Sequence, residues 1–391
     1  MSTQAVTTRA ASTAPRLEHA ALVALCLFVG ALQISIAAAA SLLTLTLGLW
    51  VGVLISHREQ VDVPVIFWPL LAYAGVTILS VAASIDPLTS LVDSKEVLLF
   101  VVVPVVYRIA QGRSASTVAT IIISVGGATA VYGIIQYSIL EYDTLGQRPQ
   151  GTMGHYMTYS GLLMLVIGLA AARLLFGRTD RVWAGLVLPA LLVALALTLT
   201  RSAWVGACVG TGFLLVLKDR RLLAAAPVVA ALVFALSPSV VTDRVLSTFD
   251  LQDPTNRDRF AMARAGGRMI RDHPLLGVGP DMVLQVYPQY RDAGGVNELN
   301  PHLHNVPLQI AAERGLPALA VWLWFIVIAV RELFMGLRRS ESRALAAGGL
   351  AAMASMLAAG MFEYNFGDSE FLMLFLVLLT LPTAAVRESA T

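Results

Sequence analysis

The sequence predicts an all-α polytopic membrane protein with about 12 transmembrane helices and one long outer loop that contains short helices. Its composition is the first evidence: of 391 residues, 57% are hydrophobic and 13% are charged, and the mean hydropathy is +0.74. A soluble globular domain carries about 25% charged residues. Most of this chain therefore cannot face water, which excludes a soluble enzyme, a disordered regulator and a protein with a nucleic-acid partner.

The spacing of apolar runs is the second observation, because a spanning helix needs about 20 mostly apolar residues. The first run, residues 20–56, is too long for one span, and we expect it to fold back near residues 34–38 into two helices. The other expected spans are residues 63–83, 91–109, 118–140, 156–176, 182–199, 203–217, 222–241, 316–333, 344–361 and 371–386.

The third observation is the distribution of positive charge among the short loops. With the N-terminus in the cytoplasm, 16 of the 27 Lys and Arg residues fall in cytoplasmic segments and 3 in short outer loops. Because positive residues mark the cytoplasmic side, we expect both termini in the cytoplasm. The chain then divides into residues 1–241 with spans one to nine, a long outer loop at 242–315, and residues 316–391 with spans ten to twelve and a short cytoplasmic tail.

Two isolated arginines lie in the short outer loops. Arg148 precedes span six, and Arg201 lies at the tip of the hairpin between spans seven and eight, in the stretch TLTRSAW. Either guanidinium can reach a phosphate of the membrane lipids as an anchor. Positive charge is nevertheless disfavoured at outer helix ends, so both are candidates for a functional anion site.

The long outer loop is expected to be functional, because loops of this length are rare in compact chains. Residues 259–272, RFAMARAGGRMIRD, predict a helix with Arg264, Arg268 and Arg271 on one face. The other face is apolar and consists of Phe260, Ala263, Gly267 and Ile270. This pattern fits a helix on the membrane surface with its arginines towards lipid headgroups. The glycines of the following HPLLGVGP allow a tight backbone path.

His302 and His304 lie in the segment NPHLHN, which leads directly into span ten. This position puts two imidazoles just above the outer membrane surface, where a histidine can exchange protons near neutral pH. A metal-binding pair is the other interpretation, but no third ligand stands at a telling spacing.

Three stretches together resemble the O-antigen ligase and polymerase superfamily, which are bacterial inner-membrane glycosyltransferases. They are TLTRSAW on the hairpin, RFAMARAGGRMIRDHPLLGVGP in the loop and HLHNVPLQIAAERGLPAL entering span ten. The resemblance implies a site that faces the periplasm, a glycan donor linked to undecaprenyl diphosphate and a sugar hydroxyl as acceptor. For a ligase the acceptor is the lipid A-core, and for a polymerase it is another lipid-linked repeat.

The resemblance also implies roles for particular residues. His304 matches the essential histidine, and Arg201 and Arg259 match the arginines that hold the diphosphate, although Ala263 stands where relatives often carry tryptophan. Arg148 is a third candidate for the diphosphate, and His302, Asn305 and Arg264 are candidates for supporting roles. Arginine forks suit phosphate oxygens, and the chain has no DxD motif on its outer face. We therefore expect no metal and no other cofactor, with His304 as general base in an inverting displacement.

Several alternatives remain open at this point. A polymerase would use the same residues. Relatives that glycosylate proteins often carry an extra soluble domain, which is not expected here. A secondary transporter also fits twelve spans, but transporters usually show repeated halves and charged residues at mid-membrane. The sequence has no evident internal repeat, and its polar residues concentrate in the outer loop. An O-antigen ligase is therefore the favoured prediction.

Overall fold

The computed structural model describes residues 2–225, 227–228, 231, 235, 237–250, 252–292 and 295–387, and all regular structure within them is helical. The α-helices are α1 Ser2–Ala31, α2 Ile36–His57, α3 Phe67–Ala82, α4 Pro87–Asp93, α5 Val102–Ile109, α6 Arg113–Ser138, α7 Tyr156–Phe176, α8 Arg181–Leu197, α9 Arg201–Lys218, α10 Ser239–Leu246, α11 Pro254–Asp272, α12 Val283–Tyr290, α13 Val306–Leu337, α14 Arg343–Ala359 and α15 Ser369–Ala385. Short 3₁₀ helices cover Ser94–Val101, Arg220–Ala225, Ser247–Phe249 and Asn365–Gly367.

Eight of the described helices have the apolar character of membrane spans. Among the described residues, 4 helices are long and apolar enough to cross a membrane: α2, α6, α7 and α13. Four shorter apolar helices accompany them: α3, α8, α14 and α15. The expected fold-back is confirmed, since α1 ends at Ala31 and α2 begins at Ile36 after a turn. Seven of the 20 residues of the expected span at 222–241 lie outside the described residues, so a continuous span there stays a prediction.

The span expected at residues 91–109 is not one continuous helix. It divides into the end of α4, the 3₁₀ helix Ser94–Val101 and α5. Pro104 contributes to this break, because a proline has no N–H to donate to the carbonyl four residues earlier. The polar residues of the segment, Asp93 and Glu96, are thereby held at a bend where they line a cavity.

The helices form a bundle in which inner helices are buried by outer helices. In α7, 83% of the most apolar window is buried inside the protein, compared with 28% in α2 and in α13. Nearly every residue of α15 is also buried. The outer helices instead expose large apolar side chains, such as Ile55, Val182 and Val327. Contact with lipid tails accounts for such exposure in a membrane protein.

The polar segment between α10 and α13 has a small core of its own. Met262, Met269, Val286 and Tyr287 are almost fully buried there, where α11 packs against α12 and the start of α13. The helix expected at residues 259–272 begins earlier, at Pro254, because the side chain of Asp253 caps it by accepting from two backbone N–H groups.

The buried face of α11 differs from the apolar face recognised in the sequence. Ala261, Ala265 and Met269 are buried, whereas Phe260 and Ala263 are exposed and line a cavity. Tertiary packing against α12 and α13 therefore covers a stripe of smaller residues, and leaves the large apolar Phe260 free.

The HPLLGVGP turn fixes the segment to the bundle by close backbone contact. Gly279 N donates to the carbonyl of Glu313 at 2.9 Å, and Leu316 N donates to that of Pro274 at 2.9 Å. A Cβ on Gly277, whose φ is +66°, would lie 2.2 Å from the carbonyl carbon of Glu313. The expected tight path is thus confirmed. Helix α13 kinks at the same place, at Gly315 with φ 81° and ψ 171°.

Candidate active site

His304 lies two residues before α13 in an unusual backbone conformation. Its φ is +47°, in the left-handed region that side chains other than glycine rarely adopt. The next residue, Asn305, fixes the backbone: its Oδ1 accepts from the N–H of Leu308 at 2.9 Å, and its Nδ2 donates to the carbonyl of Met361 at 3.0 Å. Such positions persist where the surroundings hold them and are common at active sites.

Glu363, between α14 and α15, holds both histidines. His304 Nδ1 lies 3.0 Å from Oε2, and His302 Nε2 lies 3.3 Å from Oε1. Burial raises the pKa of Glu363, but the hydrogen bonds from His302 and His304 outweigh burial and hold that pKa well below its usual range. An ionised carboxylate only accepts. Nδ1 of His304 is therefore the donor, and Nε2 is the nitrogen left to exchange a proton with a substrate.

Two cavities meet at His304. The first, which we call the acidic cavity, has a volume of about 490 Å³, and His304 is one of its lining residues. The second, the arginine cavity, has a volume of about 290 Å³ and is also lined by His304. Besides His304, the arginine cavity is lined by Arg201, Ser202, Val205, Thr248, Asn256, Arg259, Phe260, Ala263, Leu303, Asn305, Leu308, Met361 and Phe362. A proton acceptor at this junction can serve a reaction between two molecules, one in each cavity.

Arg201 and Arg259 line the arginine cavity from α9 and α11. Arg201 is 6% exposed, and its guanidinium donates to the carbonyl of Ser247 at 2.9 Å and to Asp253 Oδ1 at 3.2 Å. The Nε of Arg259 is buried without a hydrogen-bond partner. An orphaned guanidinium donor in a cavity suits an anionic ligand, since a buried unpaired donor is costly.

Two further arginines add positive charge beside this cavity. Burial, and then the charges of Arg201 and Arg148, lower the pKa of Arg244 to about 10. Arg244 Nη1 lies 3.9 Å from Asp253 Oδ2, and the guanidinium of Arg148 lies over the ring of Tyr156, 4.3 Å from its centroid. Asp253 is thus shared by two of four arginines, so the group carries excess positive charge.

The acidic cavity has the opposite charge. Six carboxylates are among its lining residues: Asp93, Glu96, Asp281, Glu313, Glu363 and Asp368. The nearby Arg314 pairs with Glu313 at 2.6 Å and with Asp93 at 3.7 Å. His302 and His155 also line this cavity. Carboxylates of this kind accept hydrogen bonds from hydroxyl groups.

The structure brings most of the sequence-predicted residues together. His302 and His304 share Glu363, and Asn305, Arg201 and Arg259 line the arginine cavity with His304. Arg148 lines neither cavity but lies within electrostatic reach of Arg201. Arg264 lines neither cavity: its side chain is exposed and pairs with Asp292.

Sequence reasoning missed Glu363, Asp253 and Arg244. Asp253 precedes a proline at the start of a helix, a recognisable capping pattern, but its pairing with Arg201 depends on the fold. Glu363 lies 59 residues from His304, at no spacing typical of an acid–base pair. Arg244 had no feature that set it apart from the other arginines of the loop.

A divalent ion also fits one group of side chains. His302, His304 and Glu363 offer ligand atoms that all lie within 4.8 Å of one another. Two imidazoles and a carboxylate are typical zinc ligands. The expectation that the reaction needs no metal stays a prediction.

Comparison with known proteins supports the resemblance seen in the sequence. Residues 184–323 match the family model described as O-antigen ligase, and this range includes Arg201, Arg259 and His304 but neither Arg148 nor Glu363. No curated protein matches the chain. Members of the matched family are glycosyltransferase-like enzymes of lipopolysaccharide biosynthesis, and the apolar helices agree with a bacterial membrane protein. Residues 184–323 are thus similar to the O-antigen ligase family, and this match supports the O-antigen ligase and polymerase superfamily for the chain.

Proposed function

We propose that this protein is an O-antigen ligase. It transfers a glycan from undecaprenyl diphosphate to a sugar hydroxyl of the lipid A-core, by a metal-independent inverting displacement with His304 as general base. One observation carries the proposal: His304, oriented by Glu363, lies between a cavity lined by arginines and a cavity lined by carboxylates. The family match of residues 184–323 supports the same reaction class.

The proposed arrangement in the membrane follows from the charge bias of the loops. The protein lies in the bacterial inner membrane with twelve spans and both termini in the cytoplasm. Residues 1–241 hold spans one to nine, residues 242–315 form a periplasmic loop, and residues 316–391 hold the last three spans. The active site then faces the periplasm.

The arginine cavity is the proposed site of the donor diphosphate. Arg201 and Arg259 bind its oxygens, and Arg148 adds positive charge nearby. Apolar residues lie beside them, since Phe260 and Phe362 line the same cavity and are 55% and 42% exposed. A cavity that combines guanidinium groups with exposed aromatic rings suits a diphosphate attached to a lipid chain.

The proposed chemistry is a single displacement at the anomeric carbon. Nε2 of His304 takes the proton of the acceptor hydroxyl as that oxygen attacks the anomeric carbon. The bond from this carbon to the diphosphate oxygen breaks, and undecaprenyl diphosphate leaves with the electron pair. Arg201 and Arg259 stabilise the charge that develops on the leaving group. Attack from the side opposite the leaving group inverts the anomeric centre.

The direct test is transfer of a lipid-linked glycan by the purified His304→Ala variant. Loss of a general base is expected to lower the turnover about 10²–10⁴-fold. His273→Ala is the matched control, because His273 is exposed and lines neither cavity. Near-normal turnover of His304→Ala would overturn the assignment.

Charge reversal at Arg201 and Arg259 is expected to abolish transfer while membrane insertion persists. Transfer by the double variant would contradict the proposed donor site.

A polymerase of lipid-linked repeats is the second candidate, since a histidine between two cavities would serve a lipid-linked acceptor equally. The lipopolysaccharide of a knockout strain separates the two. A ligase knockout accumulates long lipid-linked polymer and leaves bare core, whereas a polymerase knockout leaves core capped with one repeat. Secondary transport, the remaining alternative, predicts uptake by proteoliposomes without glycan transfer.

A further inference from the structure

The charge of the acidic cavity restricts the kind of molecule that can bind in it. Six carboxylates line the cavity. Among the described residues, three positive groups pair with them: Arg314 with Glu313 and Asp93, and the imidazoles of His302 and His304 with Glu363. Burial disfavours the charged forms of Glu96 and Glu313. The other four carboxylates still outnumber these three positive groups, so the cavity is negative.

An unused amide in the same cavity shows that it is suited to a polar ligand. Asn365 lies in the 3₁₀ helix Asn365–Gly367 and is 7% exposed. It lines the acidic cavity, and both its Nδ2 and its Oδ1 are buried without a hydrogen-bond partner. A buried amide that neither donates nor accepts is costly. A sugar hydroxyl both donates and accepts, so it would satisfy such a group.

We propose that the acidic cavity binds the acceptor sugar, through Asn365 and carboxylates such as Asp281. It selects acceptors whose terminal sugars are uncharged or carry an amino group, and it rejects sugars that carry a phosphate or carboxylate. This proposal rests on the proposed function, because the bound sugar is an acceptor only if the protein transfers a glycan. Like charges brought together at close range cost far more than a neutral contact, which provides the discrimination.

The two cavities then keep the substrates apart by charge. The donor diphosphate is attracted to the arginine side and repelled from the acidic side. A neutral or amino sugar experiences no such repulsion and is free to enter beside His304. Donor and acceptor reach His304 from opposite cavities. Binding of the donor in the acceptor's cavity is therefore disfavoured before any chemistry occurs.

Binding of soluble oligosaccharides to the full-length protein in detergent tests the proposal without turnover. Three probes differ only in the terminal sugar, which is glucose, glucosamine or glucuronate, and saturation-transfer NMR measures their Kd. We expect glucuronate to bind at least about tenfold more weakly than the other two. Asn365→Ala should weaken the binding of all three, whereas Asp281→Asn should reduce the discrimination against glucuronate.

Asp143→Asn is the matched control, because Asp143 is an exposed carboxylate that does not line the acidic cavity. Equal binding of the three probes, a preference for glucuronate, or the same effect from Asp143→Asn and Asp281→Asn would overturn the proposal. Charge-dependent binding in a protein that transfers no glycan would instead overturn the proposed ligase function and leave the sugar site standing. The two failures are therefore distinguishable.

Discussion

Glu363 accepts a hydrogen bond from Nδ1 of His304 at 3.0 Å, across 59 residues of sequence. This contact joins the turn between α14 and α15 to the residue that precedes the cap of α13. It also decides which nitrogen of the imidazole is free to act, as the acidic residue of a catalytic triad does for its histidine. The proposed base is thus assembled from two distant parts of the chain.

Replacing Glu363 by Gln is expected to lower kcat by roughly 10²-fold or more, because an amide no longer fixes the tautomer of His304. The KM for the donor should change little, since Glu363 does not line the arginine cavity. Steady-state kinetics on the purified variant measure both. Glu298→Gln, a change at a carboxylate that is 87% exposed, is the control. A variant with normal kcat would refute the orienting role.

Asp253→Asn is expected to remove one acid-sensitive contribution to stability. Burial opposes ionisation of Asp253, but the hydrogen bond and charge of Arg201 leave its pKa lowered. A lowered folded-state pKa stabilises the protein above the unfolded pKa, and this contribution is lost as pH falls through the folded value. The difference in Tm between wild type and Asp253→Asn should therefore shrink from about pH 5 to about pH 3. A difference independent of pH would contradict the ion pair.

Arg244→Gln is expected to raise Tm without ligand and to weaken anion binding. Arg244 lies among other arginines, whose charges contribute to its lowered pKa, so removing its charge relieves repulsion. The same removal should weaken binding of pyrophosphate about tenfold, or about 1.4 kcal/mol. Thermal unfolding with and without pyrophosphate measures both effects. Arg271→Gln, at an exposed position outside the cavity, should change neither, and equal responses of the two variants would refute the anion site.

Zinc is expected to inhibit transfer, whereas a chelator should leave it unchanged. The ligand atoms of His302, His304 and Glu363 lie within 4.8 Å of one another, so bound zinc would replace the hydrogen bond between His304 and Glu363 that orients the proposed base. His302→Ala should raise the inhibitory concentration about tenfold, because one ligand is lost. Activity that vanishes with chelator and returns with a divalent ion would overturn the metal-independent mechanism.

Gly277→Ala is expected to destabilise the outer segment by about 1 kcal/mol or more. The new Cβ would lie 2.2 Å from the carbonyl carbon of Glu313, at a backbone φ of +66°. Gly212→Ala in α9 is the matched control, because nothing lies within 4 Å of its Cβ position. Thermal unfolding in detergent should separate the two variants, and equal Tm values would show that the turn tolerates a side chain.

The helices that the sequence predicted best are those whose apolar runs end abruptly. Helix α7, Tyr156–Phe176, has the predicted bounds, since a polar loop precedes it and Gly177 follows. The segment at 91–109 was predicted less well, because hydropathy averages over the polar residues and Pro104 that break it. Helix α11 was recognised by its arginines, but its buried side depends on α12 and α13, which no local pattern reveals.

The candidate site was predictable only where a residue type was unusual for its place. Arg201 stood out as a cation at an outer helix end, and His304 as an imidazole at the entrance to a span. Their proximity came from the family resemblance and not from spacing. Glu363 and Asn365 could not be identified from the sequence, because a single carboxylate or amide between two spans is ordinary. Only the fold brings Glu363 beside His304 and Asn365 into the acidic cavity.

The family match ends at residue 323, whereas Glu363 and Asn365 lie beyond it. An exchange of residues 184–323 between relatives would therefore transplant the histidine and arginines without their acidic partner. Such hybrids should insert and bind lipid diphosphates yet turn over poorly. Adding the matching turn of the relative that donated residues 184–323, between the last two spans, should recover activity. The smallest part of the chain that could be exchanged with retained activity thus consists of two separate segments, residues 184–323 and the turn that contains Glu363.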